Sequence, residues 1–399
     1  MKIVQINAVY GIASTGRIVK GIEECARENG MECVAAYSQG TADDAQAFRF
    51  GSTAEQKLHA LLSRITGLQG YFSQFGTRTL LKRLDEIKPD VVHLHNLHSN
   101  NINLKMLLKY LAKNDIATVL TLHDCWFFTG KCCHFTMAGC EQWKTGCGSC
   151  PNLKEDNKSY FLDRSRKMLY DKKRWFGQIP RLAVVGVSNW VTNLARESFV
   201  LSGAALYRTI HNGIDLDSFY PRKTDLKQKL GLDGKFVVLG LAMGMSKRKG
   251  YYDFLQLVKI LPEDVKLVLA GLTKEQIERL PEGIVGIERT HDVSRLAEIY
   301  SMADVFVTPT HEDNFPTVNM EALACGTPVI TYRTGGSPEA LDETCGIVVD
   351  CGDIEALKSA IINAKEQSFP SQVCIDRAQQ FNREERYLDY IALYKELMK

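Results

Sequence analysis

Apolar residues in this chain fall into short, nearly unbroken runs separated by segments of helical spacing. In the first half the runs are Lys2–Asn7, Val91–His95, Thr118–Leu122 and Ala183–Val187. Between them the period lengthens to that of a helix at Arg17–Asn29, Leu104–Lys113 and Asn189–Glu197. Continuous apolar runs bounded by turn residues mark strands covered on both faces, and their alternation with helices predicts a parallel sheet. The same grammar restarts after Asn212-Gly213. It gives strands at Phe236–Leu241, Lys266–Ala270, Val305–Thr308 and Val329–Tyr332, and helices at Gly250–Ile260, Val293–Ala303 and Ile354–Ala364. The pattern predicts two doubly wound α/β lobes, residues 1–208 and 209–382, with a junction near Thr209–Asp215. A last helix within 383–399, near Glu384–Met398, is expected to cross back to the first lobe. Neither an internal repeat nor a low-complexity segment interrupts this order.

Composition narrows the class. At 399 residues the chain suits two domains, and 45% apolar with 24% charged residues is a globular balance. No apolar run approaches the roughly 18 residues that span a bilayer. The start, MKIVQINAVY, alternates like a strand and lacks a signal peptide's apolar block. The expectation is a cytoplasmic location. The net charge of +2 hides an asymmetry: 27 Lys/Arg face 18 Asp/Glu through Arg208, and 22 face 29 beyond it. A basic first half suits an anionic partner such as a membrane face or an acidic acceptor, or is solvated charge spread over helices. Within it, Leu58, Leu61, Leu62, Ile65 and Leu68 recur near helical spacing among Lys57, Arg64, Arg78, Lys82 and Arg83. That stretch reads either as a basic amphipathic surface for a membrane or lipid-linked acceptor, or as a helix pair packed on the lobe.

The most specific stretch is Glu312–Ile330, EDNFPTVNMEALACGTPVI. Pro316 sits where a helix would begin, and Gly326 and Pro328 would end it, which predicts a helix over Thr317–Cys325. Its free N–H groups would face Asn314, Phe315, Pro316 and Thr317, and such an end favours an anion like phosphate. Asp313 and Glu321 flank it and can accept hydrogen bonds from sugar hydroxyls. Phosphate beside polyol is the chemistry of a nucleotide sugar. The basic run Ser246–Gly250, SKRKG, lies between a predicted strand and helix, where Arg248 and Lys249 could grip a diphosphate. The first turn, Gly11–Gly16, contains glycine but no G-x-G-x-x-G, which argues against a dinucleotide fingerprint and a dehydrogenase.

This wording resembles retaining glycosyltransferases of family four, over nearly the whole chain. The carriers are the spacing of Asp313 and Glu321 before the EALACGTPV run, Lys249-Gly250, the HNGID element His211–Asp215, and TGGSPE, Thr334–Glu339. The chain departs from the family in having Asp313 for the usual Glu, with Glu312 beside it, and Gly244-Met245 where the family has an arginine. Arg248 is the substitute. The resemblance implies the GT-B fold, two facing Rossmann-like doubly wound parallel-sheet lobes. It implies a metal-independent enzyme that moves a sugar, with retention, from a UDP- or GDP-sugar to a hydroxyl of a glycan or lipid-linked acceptor, as in surface polysaccharide or lipopolysaccharide biosynthesis. No nucleic acid is expected as a partner. It assigns His123, Asp313 and Lys249 to catalysis. It assigns Gly16, Arg248, Lys249, Asn314, Phe315, Pro316, Thr317 and Glu321 to the donor. A nucleotide-sugar epimerase or hydrolase on the same scaffold, or a catalytically silent sugar-nucleotide-binding protein, fits the same motifs.

Two clusters stand apart. His93, His95 and His98, in HLHNLH, read as strand packing and loop hydrogen bonding or as a metal spacing. Six of twelve cysteines crowd into Cys125–Cys150. Cys133, Cys140, Cys147 and Cys150 form a candidate structural zinc set, with Cys132 or His134 as a replacement for Cys133. Free buried thiols are the second reading. Disulfides, disfavoured by a reducing compartment, are the third. No cofactor is expected for catalysis.

Overall fold

The computed structural model describes residues 1–399 apart from positions 43, 45, 243, 244 and 368. Gly244, the first residue of the Gly244-Met245 pair that stands where the family has its arginine, therefore lies outside the described residues. The chain divides into two compact units, Met1–His211 with Glu384–Lys399, and Asn212–Arg383.

Unit 1 is built on seven strands: β1 Lys2–Ile6, β2 Glu32–Tyr37, β3 Ala47–Arg49, β4 Val91–Leu94, β5 Ala117–Leu122, β6 Leu182–Gly186 and β7 Leu206–Thr209. They form one sheet in the order β3-β2-β1-β4-β5-β6-β7, and every pairing is parallel. β4, β5 and β6 are buried at every position, which is why their sequences read as unbroken apolar runs. Two separate apolar clusters cover the faces, one containing Val92, Leu107 and Trp126, the other Ile22, Val119 and Ala183. The second cluster is completed by Tyr387, Tyr390, Ile391, Leu393 and Tyr394 of the Arg383–Leu397 helix. A Cβ on Gly21 would come within 2.3 Å of the Tyr387 ring, so this helix packs where only glycine leaves room.

Unit 2 has six strands: β8 Phe236–Leu241, β9 Val265–Leu272, β10 Ile284–Glu288, β11 Val305–Thr308, β12 Val329–Tyr332 and β13 Gly346–Val349. Their order is β10-β9-β8-β11-β12-β13, again wholly parallel. In both sheets the chain winds outward one way, then returns to start again beside its first strand. The reversals fall between β1 and β4 and between β8 and β11. Loops leaving the carboxyl ends of strands at such a point diverge and leave a crevice, the usual ligand site of open α/β sheets.

The points where the chain leaves and re-enters unit 2 are fastened together. Ile214 N–H donates to the Phe381 carbonyl at 2.8 Å and Arg383 N–H to the Ile214 carbonyl at 3.0 Å. Arg383 also pairs with Asp215 at 2.7 Å. A Cβ on Gly213 would lie 2.3 Å from the Arg383 Cα, so the glycine of HNGID is required by backbone approach.

Candidate functional site

The loops that follow β8 and β11 meet at the switch point of unit 2. Ser246 caps a single 3-10 turn, Lys247–Lys249, by accepting from the Lys249 N–H. Gly250 then takes a left-handed φ of +76°, and a Cβ there would sit 2.0 Å from the Pro309 carbonyl oxygen. The absence of a Cβ lets the basic turn pack closely against the loop after β11. The Arg248 carbonyl accepts from His311 N–H at 2.8 Å, and the Arg248 guanidinium donates to the Glu312 carbonyl at 3.2 Å. The Lys249 ammonium is paired with Asp313 Oδ2.

Asp313 is thus the carboxylate that meets the lysine, and Glu312, buried beside it, offers its carbonyl to Arg248. The other Asp313 oxygen accepts from Asn314 N–H at 2.9 Å. The Asn314 carbonyl accepts from Gly336 N–H at 2.9 Å, which ties in the TGGSPE loop. Asn212 Nδ2 donates to the Phe315 carbonyl at 3.4 Å, a tie from HNGID. The helix runs Thr317–Ala324 behind Pro316, with no side-chain cap and no acidic residue in its first turn. Glu321 accepts from Tyr300 Oη at 2.9 Å, which fixes one of its oxygens. Asn319 is locked between Thr308 and Ser337. Eight of the candidate site residues named from sequence lie in this one unit, on two loops and the helix that follows the second.

In unit 1 the carboxyl end of β5 presents His123, and β4 runs into His95. A line of side chains fixes both rings. Gln5 donates its amide to the Val19 carbonyl at 2.9 Å, so its Oε1 accepts from His95 Nε2 at 3.1 Å. His95 must then accept at Nδ1, 3.1 Å from His123 Nε2. His123 is the donor in that bond, and its Nδ1 is left as the acceptor. His93 bonds Tyr394 Oη and Thr121 Oγ1, each at 2.7 Å. Burial holds His123 down to about 4 and His93 and His95 well below their ordinary value, so all three are neutral near pH 7.

Gly16 falls in the first turns of the helix Ala13–Glu28, which starts earlier than the expected Arg17. Its carbonyl accepts from Gly11 N–H at 2.9 Å. A Cβ would press to 3.1 Å of Val9 and 3.3 Å of the Gly11 nitrogen. The glycine is therefore tight against the turn after β1, as a helix position and not a loop residue.

Cys133 does not stand with the other cysteines of the predicted set. Its sulfur lies with His98 and Asp124 in a group whose donor atoms are all within 4.8 Å of one another. The His98–Asp124 contact is 2.9 Å. The cavity that Cys140, Cys147 and Cys150 line is completed by Cys132. The two adjacent cysteines have different surroundings, and spacing alone could not choose between them. All twelve cysteines are free thiols.

Sequence reasoning also missed Gln5 and Lys172. Gln5 is a polar residue inside an apolar strand, which was the available signal. Lys172 is fully buried, donates to the Trp126 and Thr129 carbonyls, and lies 4.0 Å from the Trp126 ring centre. On a helix rich in lysine nothing set it apart.

Comparison with known proteins gives this arrangement a class. Residues 22–218 match the model described as Glycosyltransferase Family 4, and residues 222–381 match Glycosyl transferases group 1. The chain belongs to glycosyltransferase family 4, and the two sheets are the two lobes of a GT-B fold.

Among its relatives is a protein of Escherichia coli K12 named as a colanic acid biosynthesis glycosyl transferase, WcaC. It is 30% identical over 270 residues, 65% of this chain and 64% of that one. A D-inositol 3-phosphate glycosyltransferase of Xylanimonas cellulosilytica is 33% identical over 174 residues, 38% of this chain and 42% of that one. The chain thus spans less than two thirds of the length of these relatives. Sucrose-phosphate synthase of Thermosynechococcus elongatus superposes with a TM-score of 0.72 at 18% identity, over 100% of this chain and 99% of that one. HepE of Anabaena, solved with UDP-glucose, gives 0.65 at 16% identity, over 99% and 100%.

Proposed function

We propose that the protein is a retaining glycosyltransferase that moves a sugar from a nucleoside diphosphate sugar to a hydroxyl of a glycan or lipid-linked acceptor in surface-polysaccharide biosynthesis. The observation that carries this reading is the contact between Lys249 and Asp313 at the β8/β11 switch point, beside the Thr317–Ala324 helix start. Family membership and the polysaccharide pathway of the Escherichia coli relative support it, as does the UDP-glucose held by HepE.

Diphosphate oxygens would compete with Asp313 for the Lys249 ammonium. Lys249 and Arg248 would then face the leaving diphosphate and Asp313 would be released to accept from sugar hydroxyls, so that one exchange of partners arms both groups. The backbone N–H groups in the first turn of the Thr317–Ala324 helix would add fixed donors for the same charge, Pro316 itself having none. Glu321, oriented by Tyr300, would hold the ribose, and His123 would accept from a sugar hydroxyl at Nδ1. The bond from the anomeric carbon to the phosphate oxygen breaks as that to the acceptor oxygen forms on the same face. The acceptor's proton passes to the departing phosphate, so neither a protein base nor a divalent ion is required.

The helix Thr53–Thr66 bears on the acceptor's source. It turns His59 and Ser63 inward and leaves Leu58, Leu61 and Ile65 exposed. Tyr160, Phe161 and Leu162 are exposed too; Tyr160 N–H donates to the Arg64 carbonyl at 2.7 Å. The predicted helix pair exists, Thr53–Thr66 and Gln74–Ile87, but this apolar stripe faces out. With Lys57 and Arg64 exposed beside it, the surface suits the anionic inner face of a membrane. No helix among the described residues is long and apolar enough to cross one.

The test is a screen of UDP- and GDP-sugars by thermal shift, followed by product analysis with a lipid-linked glycan acceptor. A donor that raises the melting temperature and is turned over only with acceptor supports the reading. Turnover without acceptor would make the protein an epimerase or hydrolase.

A further inference from the structure

Residues 123–164 contain one regular element among them, the 3-10 turn Gln142–Lys144. Loops beyond about 12–15 residues are uncommon in compact domains unless something other than secondary structure holds them. Part of the hold is aromatic. Trp143 is fully buried, with ring centres 5.3 Å from Phe128 and 5.1 Å from Phe135. Part is the buried Lys131 ammonium, which donates to the carbonyls of Asn152 at 2.7 Å and Leu153 at 3.3 Å. The rest of the segment converges on a small cavity lined by Phe135 and Trp143 together with Cys132, Cys140, Cys147 and Cys150.

We propose that this cavity is a structural zinc site whose four ligands are Cys132, Cys140, Cys147 and Cys150. The Cys132 thiol donates to the Cys150 sulfur, so two of the four are already in contact. Backbone N–H groups point at the sulfurs, that of Gly130 at Cys147 and that of Asn152 at Cys150. Such donors stabilise thiolates and orient metal ligands. Cys147 and Cys150 form a C-x-x-C pair, and Cys132 and Cys140 supply the other two corners. Four sulfurs and no open position are the signature of a closed, structural zinc site. Binding would draw the sulfurs together and release four thiol protons, leaving a net charge of −2 on the centre. Lys131, on the cavity wall, supplies a compensating positive charge.

The site shares no residue with the group formed by His98, Asp124 and Cys133, none of which lines the cavity. It fastens the segment that begins at His123 and is far in sequence from the loops of unit 2. Its role is to fold unit 1, not to react.

The experiment is metal analysis by mass spectrometry on the full chain, prepared without added zinc or chelator. About one zinc per chain is expected in the native protein and in Cys133→Ser, and close to none in the Cys147→Ser/Cys150→Ser double variant. Because metal binding is coupled to folding, that variant could fail to fold. The native chain then decides. Alkylation before and after chelation should show Cys132, Cys140, Cys147 and Cys150 protected by metal, with Cys133 unaffected. Less than about 0.1 zinc per native chain, or the four cysteines recovered as disulfides, would overturn the site. Zinc lost in Cys133→Ser or His98→Ala but kept in the double variant would move the metal to His98, Asp124 and Cys133, and would overturn it equally.

Discussion

His95 Nδ1 stands 3.1 Å from His123 Nε2, and the direction of that bond is set by Gln5 at the far side of His95. A glutamine in the first strand therefore selects the tautomer of a histidine at the end of the fifth. Gln5→Leu should let both rings change tautomer, lowering kcat roughly tenfold with KM little altered. Gln5→Glu, which keeps the acceptor, should restore most of it. Nitrogen chemical shifts of His123 report the tautomer directly. An unchanged His123 spectrum in Gln5→Leu would remove Gln5 from any positioning role.

Loss of one preorganised cation at a leaving diphosphate costs about two to three orders of magnitude. Lys249→Ala should therefore slow transfer by that amount. Glu321→Gln should chiefly weaken nucleotide binding, since Tyr300 holds the carboxylate where a ribose would be met. Near-native steady-state kinetics in both variants would refute the assignment of the donor groups.

Nucleoside diphosphate affinity should survive chelation if, as proposed, Lys249 and Arg248 take the place of a divalent ion. Calorimetry with UDP or GDP before and after EDTA measures it. Binding that disappears and returns with magnesium would require a metal-dependent mechanism. A loss reversed by zinc alone would trace to unit 1.

Glu23 is buried and accepts from Tyr10 Oη, and burial pushes its carboxyl from 4.5 up to about 7 despite that bond and nearby Arg27. Between those values the folded chain binds more protons than the unfolded one, so the Glu23 contribution to stability falls as pH rises from 4.5 to 7. Glu23→Gln removes this dependence. Its stability relative to the native chain should climb by up to about 1.4 kcal/mol per pH unit across that window and level off above it. The neutral histidines act in the opposite sense in both proteins, since burial depresses them and acid must charge them. Melting curves of the two chains from pH 4.5 to 8 isolate the difference. A constant difference over the range would mean that Glu23 titrates normally.

Leu58, Leu61 and Ile65 changed together to serine should weaken sedimentation with vesicles containing about one third phosphatidylglycerol, without altering UDP or GDP affinity. Higher salt should weaken binding of the native chain as well, through Lys57 and Arg64. If the native chain does not bind such vesicles at low salt, the exposed stripe has no membrane role.

What was legible in the sequence follows from burial. β4, β5 and β6 are covered on both faces, and their apolar runs gave their positions to within a residue or two. β2, β3, β7, β10 and β13 were missed. β3, β7 and β10 lie at sheet edges, where half-buried positions admit Lys, Arg and Glu and no apolar run forms; β2 and β13 were passed over although most of their residues are apolar. The loops after β8 and β11 were readable because glycine and proline punctuate them. The Lys249–Asp313 pairing was not, since 64 residues separate the two and only the strand order brings them together. The different surroundings of Cys132 and Cys133 were hidden for a smaller reason: the two are adjacent in an irregular loop, where no periodicity says which way a thiol emerges.

The Arg383–Leu397 helix also sets a clock. Unit 1 is interrupted after His211 and lacks its last apolar face until Tyr387, Tyr390 and Tyr394 have been made. At about 5–20 residues per second of synthesis, the 212–383 stretch imposes a wait on the order of ten to forty seconds. Through it, Val119, Ala183 and the Tyr394 side of His93 stay open to water and to chaperones, while Asn212–Arg383 emerges and can close on its own sheet. The unit that starts first on the ribosome is the one that finishes last.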